Sequence, residues 1–329
     1  MLPTISVVIP TLNSSRILKE CLASVRMQDY DRDTIEIIIV DGGSTDSTKV
    51  IVTEYGATII EEPQLKENQE ARKAIGLSRA KNELVLFIDS DNILPHKDWL
   101  KAMVEPIVAD KDIVATQPLR YQYNREFSLL NRYFALFGVN DPLAYYFNKR
   151  DRLSWAEDDW SMLGEAEDRG SYYAVQFSKD KLPTLGANGF LVRREIMLKA
   201  KVSPREFFHI DVNYDLVSLG YDKYGIIKDS IIHLTGDNVL TVIKKRLRYM
   251  KRYHYQDYSL RRYKLYEPKD IYKLLIFIIS SVTFIRPLYD SVKGFIKIPD
   301  VAWFMHPLMC FAFVIVYGIA IIERFLVFK

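Results

Sequence analysis

Two aspartates, Asp89 and Asp91, directly follow a short apolar run and could hold a divalent cation. The run at 83–88 reads ELVLFI, which is typical of a buried strand, so both carboxylates leave the same strand end. Mg²⁺ and Mn²⁺ prefer oxygen ligands and keep open positions that the phosphates of a substrate can fill. Aspartate, serine and asparagine are also common in capping turns, so this motif alone leaves a metal site and a plain turn both open.

Two further polar clusters follow apolar runs near the N-terminus. One is Pro10-Thr11-Leu12-Asn13, and the other begins with Asp41-Gly42-Gly43-Ser44 and ends at Asp46. Ligands of open parallel sheets bind beyond the carboxyl ends of the strands, so the clusters are expected to meet there. Asp41 could bond a donor group of a base or a ribose, or the glycines could simply form a tight turn before a capped helix. The sequence has no GxGxxG fingerprint and no P-loop, which disfavours nicotinamide binding.

The spacing of apolar residues predicts alternating strands and helices in the first 240 residues. Strands are expected at 5–10, 35–40, 57–61 and 83–88, and helices at 13–27, 45–55 and 70–80. Apolar strands joined by helices predict an α/β fold, in which a mostly parallel, Rossmann-like sheet is covered by helices on both faces.

Three segments in this order resemble family 2 of the glycosyltransferases, which has the GT-A fold: VVIPTLN, IIIVDGGSTDST and AIGLSRAKNELVLFIDSDN. The resemblance is close over residues 1–100 and extends loosely to residue 250. It implies a nucleotide-sugar donor and inversion at the anomeric carbon. By the habit of the family, a UDP-sugar is expected more than a GDP-sugar.

The resemblance also implies roles for the polar residues at the strand ends. The nucleotide-sugar site would comprise Pro10, Thr11, Asn13, Asp41, Asp46 and Asp89. Within it, Asp46 would support its loop and Asp89 would contact the ribose or the metal. Asp91 would ligate the Mg²⁺ or Mn²⁺ that neutralises the diphosphate leaving group.

The chain departs from the family pattern at 72–76, which reads RKAIG where the family often has Ala-Arg-Asn-x-Gly. Ala74 therefore replaces the usual asparagine, and a contact near the donor is expected to differ. Arg72 or Lys73 could reach phosphate, or both could lie on a solvated helix face.

Asp211 is the predicted catalytic base. An attacking sugar hydroxyl needs a group that accepts its proton, and a carboxylate can do so. The resemblance places this base after the Gly-rich segment 185–190, where the family often has Glu-Asp and this chain has Ile210-Asp211. Asp215, one helical turn later, is the alternative base. Asp211 could instead cap a helix that begins at Val212.

Other polar and aromatic residues have two interpretations each. His233 follows an apolar run and could be a metal or diphosphate ligand, as in several GT-A enzymes, or a structural histidine. Arg246 and Arg248 could close over the diphosphate or face a membrane. Trp155 and Trp160 could stack on an acceptor sugar or pack in a core.

The C-terminal region is predicted to contact a membrane. Residues 301–322 carry no formal charge and would form a helix about 33 Å long, enough to cross a bilayer. The run at 274–285 is shorter, and a short or tilted second span is favoured over a re-entrant or interfacial helix. The two would form a hairpin with both ends in the cytosol. The absence of a basic, signal-like N-terminus likewise predicts a cytosolic catalytic region.

A basic segment lies just before these apolar runs. Between Leu240 and Leu265 the only acidic residue is Asp257, and tyrosines alternate with the cations. The cations are Lys244, Lys245, Arg246, Arg248, Lys251, Arg252, Arg261, Arg262 and Lys264. Its position favours an anionic lipid surface over nucleic acid.

Composition excludes several classes of protein. The 329 residues are 49% hydrophobic and 26% charged, so a large core is expected and global disorder is not. The net charge of +3 is too small to indicate nucleic-acid binding. Two cysteines, Cys21 and Cys310, exclude a disulfide scaffold and a four-cysteine zinc site.

The sequence therefore predicts a membrane-anchored inverting glycosyltransferase. Its parts are a GT-A catalytic domain at 1–240, a basic interfacial segment at 241–270 and membrane helices at 271–329. The predicted acceptor is lipid-linked, either a polyprenyl phosphate or a lipid-linked glycan. Two alternatives remain, a transferase with a non-lipid acceptor and a non-catalytic subunit that binds nucleotide sugars.

Overall fold

A computed structural model describes residues 2–236, 238–252 and 258–327. The chain forms two compact units that interleave in sequence. The first comprises Met1–Gln122 and Gly164–His233, and the second comprises Tyr123–Leu163 and Leu234–Lys329. The region predicted as catalytic, 1–240, thus supplies the whole first unit and also two segments of the second, 123–163 and 234–240. The three-part functional division remains a prediction.

The elements of both units are numbered together in chain order. The strands are β1 (Ile5–Thr11), β2 (Ile35–Asp41), β3 (Thr58–Glu61), β4 (Leu84–Phe87), β5 (Asn92–Ile93), β6 (Ile113–Tyr121), β7 (Glu165–Asp168), β8 (Tyr172–Gln176), β9 (Phe190–Arg193) and β10 (Lys223–His233). The helices are α1 (Ser15–Arg26), α2 (Thr48–Glu54), α3 (Gln69–Arg79), α4 (Trp99–Ala109), α5 (Leu129–Phe137), α6 (Pro142–Tyr146), α7 (Arg194–Met197), α8 (His209–Ser218), α9 (Val239–Lys251), α10 (Ile271–Thr283), α11 (Ile285–Lys297) and α12 (Met305–Val327).

The first half of the sheet is parallel, as predicted. Its strands lie in the order β3-β2-β1-β4, and every neighbouring pair is parallel. Val7, Val8 and Ile9 of the central strand β1 are fully buried, which explains the continuous apolar run. The predicted α/β fold is confirmed, and the helix and strand ends lie within a few residues of those expected.

The second half of the sheet is mixed. It continues β9-β6-β10-β8-β7, where β6 and β10 are parallel and the other pairs are antiparallel. The two-residue strand β5 pairs with the end of β10, with Asn92 opposite His233. This short pairing places the end of β10 beside the segment that follows β4.

The second unit is helical and has an aromatic core. Tyr133 and Phe137 of α5, Trp303, and Phe313 of α12 are all almost fully buried in it. Within the described residues, Val301–Glu323 is the one helix that alone is long and apolar enough to cross a membrane.

The predicted second span is not a straight helix. Here α10 has 13 residues, about 20 Å, which is short of the roughly 30 Å hydrocarbon core. At Phe284, where φ is 59°, the chain leaves the helical conformation, and α11 continues at 77° to α10. The pair meets the criteria for a span only when the two helices are taken together. This geometry fits either one broken span or a re-entrant segment, so the second span stays a prediction.

Close packing of α3 on β1 gives a test of the fold. A Cβ atom at Gly76 would lie 2.3 Å from Val8 Cγ1, so Gly76→Ala forces the helix away from the strand. We expect Gly76→Ala to destabilise the protein by about 1–2 kcal/mol despite the better helix propensity of alanine. The double variant with Val8→Ala should be less destabilised than the sum of both single variants. Chemical denaturation measures this, and strict additivity would contradict the packing.

Candidate functional site

Asp41 organises the loops that follow β1 and β2. Its side chain is fully buried and accepts hydrogen bonds from Thr11 Oγ1 (2.9 Å) and Ser44 Oγ (2.5 Å). The backbone N–H groups of Gly43 (2.9 Å) and Ser44 (2.7 Å) donate to its other oxygen. Gly43 has φ of 87°, which permits this tight turn. Asp41 therefore fixes the loop geometry, and its contact with a base or ribose stays a prediction.

Asn13 and Asp46 join the same two loops. Asn13 Oδ1 accepts the N–H of Thr45 at 2.9 Å, while Asn13 N donates to Ser44 Oγ at 2.8 Å. Asp46 accepts the N–H of Ser15, the first residue of α1, at 3.1 Å, and the hydroxyl of Thr48 at 2.5 Å. Burial disfavours ionisation, but these hydrogen bonds outweigh it and lower the pKa of Asp46 to about 2. Asp46 thus links the loop to the first turn of α1, and its part in a nucleotide-sugar site stays a prediction.

The aspartate motif after β4 forms a closed turn. Asn92 is fully buried, and its Oδ1 accepts the N–H of Asp89 at 2.9 Å. The N–H of Asn92 in turn donates to Asp89 O at 2.9 Å. Asn92 also pairs with His233 in the β5–β10 ladder. The two predicted metal ligands, Asp91 and His233, therefore lie together, with 3.6 Å between Oδ1 and Nε2.

These two side chains fit a divalent cation. Asp91 Oδ1 is buried and accepts no hydrogen bond. A buried oxygen without a partner costs stability, and a bound cation would supply that partner. Among the residues that the structure describes, no group of three or more His, Cys, Asp or Glu side chains could hold a metal ion. A cation bound by Asp91 and His233 would therefore take most of its ligands from phosphate oxygens and water. Mg²⁺ is commonly bound in this way, by one or two protein side chains together with the phosphates of a substrate.

A buried network of charges lies beside Asp89 and was missed by the sequence analysis. Lys73 is 2% exposed, and its Nζ lies 3.1 Å from Asp89 Oδ1 and 3.4 Å from Glu70 Oε1. Burial opposes the charge on Lys73, but both carboxylates overcome it and raise the pKa of the ammonium. Arg72 is also buried, and its Nη1 donates to Leu65 O at 2.7 Å. Of the two interpretations of these cations, the solvated helix face is therefore wrong, and contact with phosphate stays a prediction.

Glu70 extends this network to α8. Its Oε2 accepts the backbone N–H of His209 at 2.9 Å and lies 3.0 Å from His209 Nδ1. A carboxylate from α3 thus satisfies the first N–H of α8, which no local side chain caps. Burial opposes ionisation, yet His209 and Lys73 hold the pKa of Glu70 well below its usual range. Because the cap lies 139 residues away, the spacing within 208–216 gave no signal of it.

Asp211 lies in the first turn of α8 and is 1% exposed. The helix begins at His209, three residues before Val212, and its N-cap is Phe208, so Asp211 does not cap it. The loop at Gly186 packs on this turn, because a Cβ there would lie 2.4 Å from Asn213 Nδ2. Asp215, the alternative base, accepts the N–H of Lys201 at 3.2 Å. The assignment of the base to Asp211 stays a prediction.

The remaining sequence candidates lie in the helical unit. Arg246 pairs with Asp141, and its Nη2 donates to Tyr317 OH at 2.8 Å. These contacts are structural, and the predicted binding of diphosphate by Arg246 and Arg248 stays a prediction. Trp155 packs against the aromatic core, with its ring 6.2 Å from that of Tyr123.

The charge network gives a test at the level of stability. Glu70→Gln removes the negative partner of Lys73 and His209, and we expect a loss of about 3 kcal/mol near neutral pH. Because the pKa of Glu70 is lowered in the folded state, this contribution is present above about pH 4.3 and fades as pH falls further. Urea denaturation across pH measures both effects.

The matched control is Glu61→Gln, which removes an exposed partner of Lys49. Exposed pairs contribute little, so we expect less than about 1 kcal/mol from it. Equal effects of the two variants would contradict the buried network.

Comparison with known proteins identifies the fold. A structural comparison gives a TM-score of 0.52 with the mannosyltransferase PcManGT of Pyrobaculum calidifontis, solved with GDP-Man and Mn²⁺. That similarity covers 99% of this chain and 88% of the other at 14% identity, and it shows the shared GT-A fold.

Curated relatives are similar over the N-terminal region. The glycosyltransferase AglE of Haloferax volcanii is 31% identical over 112 residues, 32% of this chain and 36% of AglE. The poly(ribitol-phosphate) beta-glucosyltransferase of Bacillus spizizenii is 36% identical over 102 residues, 30% of this chain and 16% of that enzyme. The chain therefore spans about a third or less of the length of these relatives.

A model of one protein family matches more than half of the chain. The match covers residues 6–195, which include β1 to β9, the loops that Asp41 organises and the aspartate motif. The chain belongs to glycosyl transferase family 2.

Proposed function

We propose that this glycosyltransferase moves a sugar, with inversion, from a nucleotide-sugar donor to a lipid-linked acceptor at the cytosolic face of a membrane. The observation that carries the donor site is the approach of His233 to Asp91 at the carboxyl end of β4. Family membership supports transfer chemistry. The mannosyltransferase of similar fold binds GDP-Man with Mn²⁺, which supports a nucleotide sugar and a divalent cation here too.

The residues at the strand ends would divide the donor between them. Thr11, Asn13 and Asp41 would present the nucleoside site on loops that their mutual hydrogen bonds hold rigid. Asp89, fixed by Lys73, would face the ribose or the metal. Asp91 and His233 would hold Mg²⁺ or Mn²⁺, whose charge would neutralise the diphosphate that leaves.

When the acceptor group is a hydroxyl, as on a lipid-linked glycan, the transfer step needs one proton acceptor, whereas a polyprenyl phosphate attacks as an anion and has little need of a base. The acceptor hydroxyl attacks the anomeric carbon on the face opposite the diphosphate, and the bond from that carbon to the diphosphate oxygen breaks. Asp211 takes the hydroxyl proton. Because its side chain is buried, the neighbouring groups must move apart when donor and acceptor bind.

The acceptor and the location are inferred from the helical unit. The apolar helix Val301–Glu323 and the cations of α9 support attachment to a membrane, where a lipid-linked acceptor is concentrated. A polyprenyl phosphate and a lipid-linked glycan both fit this location. The alternative is a soluble or polymeric acceptor, favoured if purified protein transfers sugar to water-soluble acceptors and not to a lipid extract.

Asp91 gives the first test of the reaction. We expect Asp91→Asn to retain the fold but to reduce transfer at least about 100-fold, because the cation that binds the diphosphate loses a carboxylate ligand. Radiolabelled sugar transfer with added Mn²⁺ measures the loss, and circular dichroism checks the fold. The matched control is Asp98→Asn, because the side chain of Asp98 is exposed and accepts no capping hydrogen bond. Full activity of Asp91→Asn would refute the metal assignment.

Asp211 gives the second test. We expect Asp211→Asn to bind the donor with unchanged affinity and to lose transfer by about 10²–10⁴-fold, since general-base catalysis contributes that much. Donor affinity comes from calorimetry and transfer from the same labelled assay. Asp215→Asn, four residues later on α8, is the comparison. If Asp215→Asn abolishes transfer and Asp211→Asn does not, Asp215 is the base.

A further inference from the structure

Helix α11 turns its large apolar side chains outward. Its exposed apolar residues recur at helical spacing and form one face: Ile285, Leu288, Tyr289, Val292, Phe295 and Ile296. The opposite face is buried in the unit and has small or polar residues: Pro287, Asp290, Ser291 and Gly294. A Cβ at Gly294 would lie 2.4 Å from the ring of Trp303. This pattern is the reverse of a water-soluble helix and fits apolar surroundings.

A line of cations borders the apolar face of α11. Arg286, Lys293 and Lys297 are exposed and recur at i, i+7 and i+11, which places them within about 40° of one another around the helix. They lie between the apolar face and the buried face. Cations beside an outward apolar face are typical of a helix that lies in the plane of a membrane surface, where long basic side chains reach the phosphates.

The neighbouring helices α10 and α12 extend the outward apolar surface. On α12 the exposed residues form one stripe: Leu308, Phe311, Ile315, Ile319 and Ile322. On α10 they are Ile271, Leu275, Ile276, Ile278, Ile279 and Val282. The three helices pack on one another. An apolar surface of this extent marks an interaction site.

Charged pairs lie at both ends of the segment 300–323, which contains most of α12. Near its start, Arg132 Nε lies 3.0 Å from Asp300 Oδ2, and near its end Lys251 Nζ lies 2.6 Å from Glu323 Oε2. Asp300 and Glu323 are separated by about 34 Å of helix, the thickness of a hydrocarbon core.

Between these two ends, Tyr317 donates a hydrogen bond to Asp141 at 2.6 Å, and Asp141 also pairs with Arg246 of α9. A transbilayer α12 would carry this ion pair into hydrocarbon, where charges are costly.

We propose that the helical unit binds one leaflet of an anionic phospholipid membrane from one side. The outward faces of α10, α11 and α12 lie at the boundary of the acyl chains, and the cations of α9 and α11 lie among the lipid phosphates. None of the described helices then crosses the bilayer. This arrangement replaces the spanning hairpin expected from sequence, and it rests on the membrane attachment proposed above and not on the transfer reaction.

Cysteine labelling tests the one-sided attachment. Pro299 lies before α12, and Lys245 of α9 lies next to Arg246, whose Nη2 contacts Tyr317 OH about 25 Å of helix beyond Asp300. Both are exposed, whereas the native Cys21 and Cys310 are fully buried. The parent protein is therefore the control for background labelling. We expect Pro299→Cys and Lys245→Cys to react with a membrane-impermeant maleimide from the same face of sealed vesicles. Reaction from opposite faces would overturn the proposal.

Vesicle flotation tests the lipid partner. Lys244→Gln combined with Lys245→Gln should weaken binding to vesicles with phosphatidylglycerol roughly 30-fold and leave binding to pure phosphatidylcholine unchanged. Lys97→Gln combined with Lys111→Gln, two exposed lysines of the first unit, is the matched control and should change neither.

Equal binding of the Lys244/Lys245 variant and the parent would overturn the lipid assignment. Stable detergent-free oligomers that do not float would instead make the apolar surface a contact between chains. Nucleotide-induced stabilisation in detergent reports on the donor site separately, so a failure here leaves the proposed transferase intact.

Discussion

The ammonium group of Lys73 is the constraint on which the candidate site depends. A buried cation is stable only when it is paired, and here Asp89 and Glu70 supply the pairing. Glu70 also holds the first turn of α8 through His209. One cation therefore fixes α3, the end of β4 and the start of α8 relative to one another. The candidate metal ligand Asp91 and the candidate base Asp211 each lie two residues beyond a member of this network.

The parts of the fold that depend on local pattern were predictable from sequence. The parallel strands β1 to β4 and helices α1 to α3 follow from apolar periodicity and polar strand ends, and family resemblance identified the loops of Asp41 and Asp89. Contacts between distant segments were not predictable. Glu70 and His209 are 139 residues apart, and the β5–β10 pairing depends on a two-residue strand that has no pattern of its own.

The helical unit shows the same limit for a membrane segment. Length and hydropathy identified residues 301–322, but neither reveals what packs against the helix. The structure places Asp141 and Arg246 on its protein side, together with Tyr317. It also bends the shorter apolar segment at Phe284 into two helices at 77°. Both features come from tertiary packing, and a hydropathy average along the chain contains no information on such contacts. Both change how the helical unit can contact a bilayer.

A divalent cation held by Asp91 and His233 would complete the proposed nucleotide-sugar site. The most direct test is the thermal stability of the detergent-solubilised protein with UDP, GDP and other nucleoside diphosphates, with and without Mn²⁺. A ligand at 100 times its dissociation constant adds about 2.7 kcal/mol of stability. We predict Mn²⁺-dependent stabilisation by UDP or GDP in the parent protein and its loss in Asp91→Asn. No stabilisation by any nucleotide would contradict a donor site and favour a non-catalytic role.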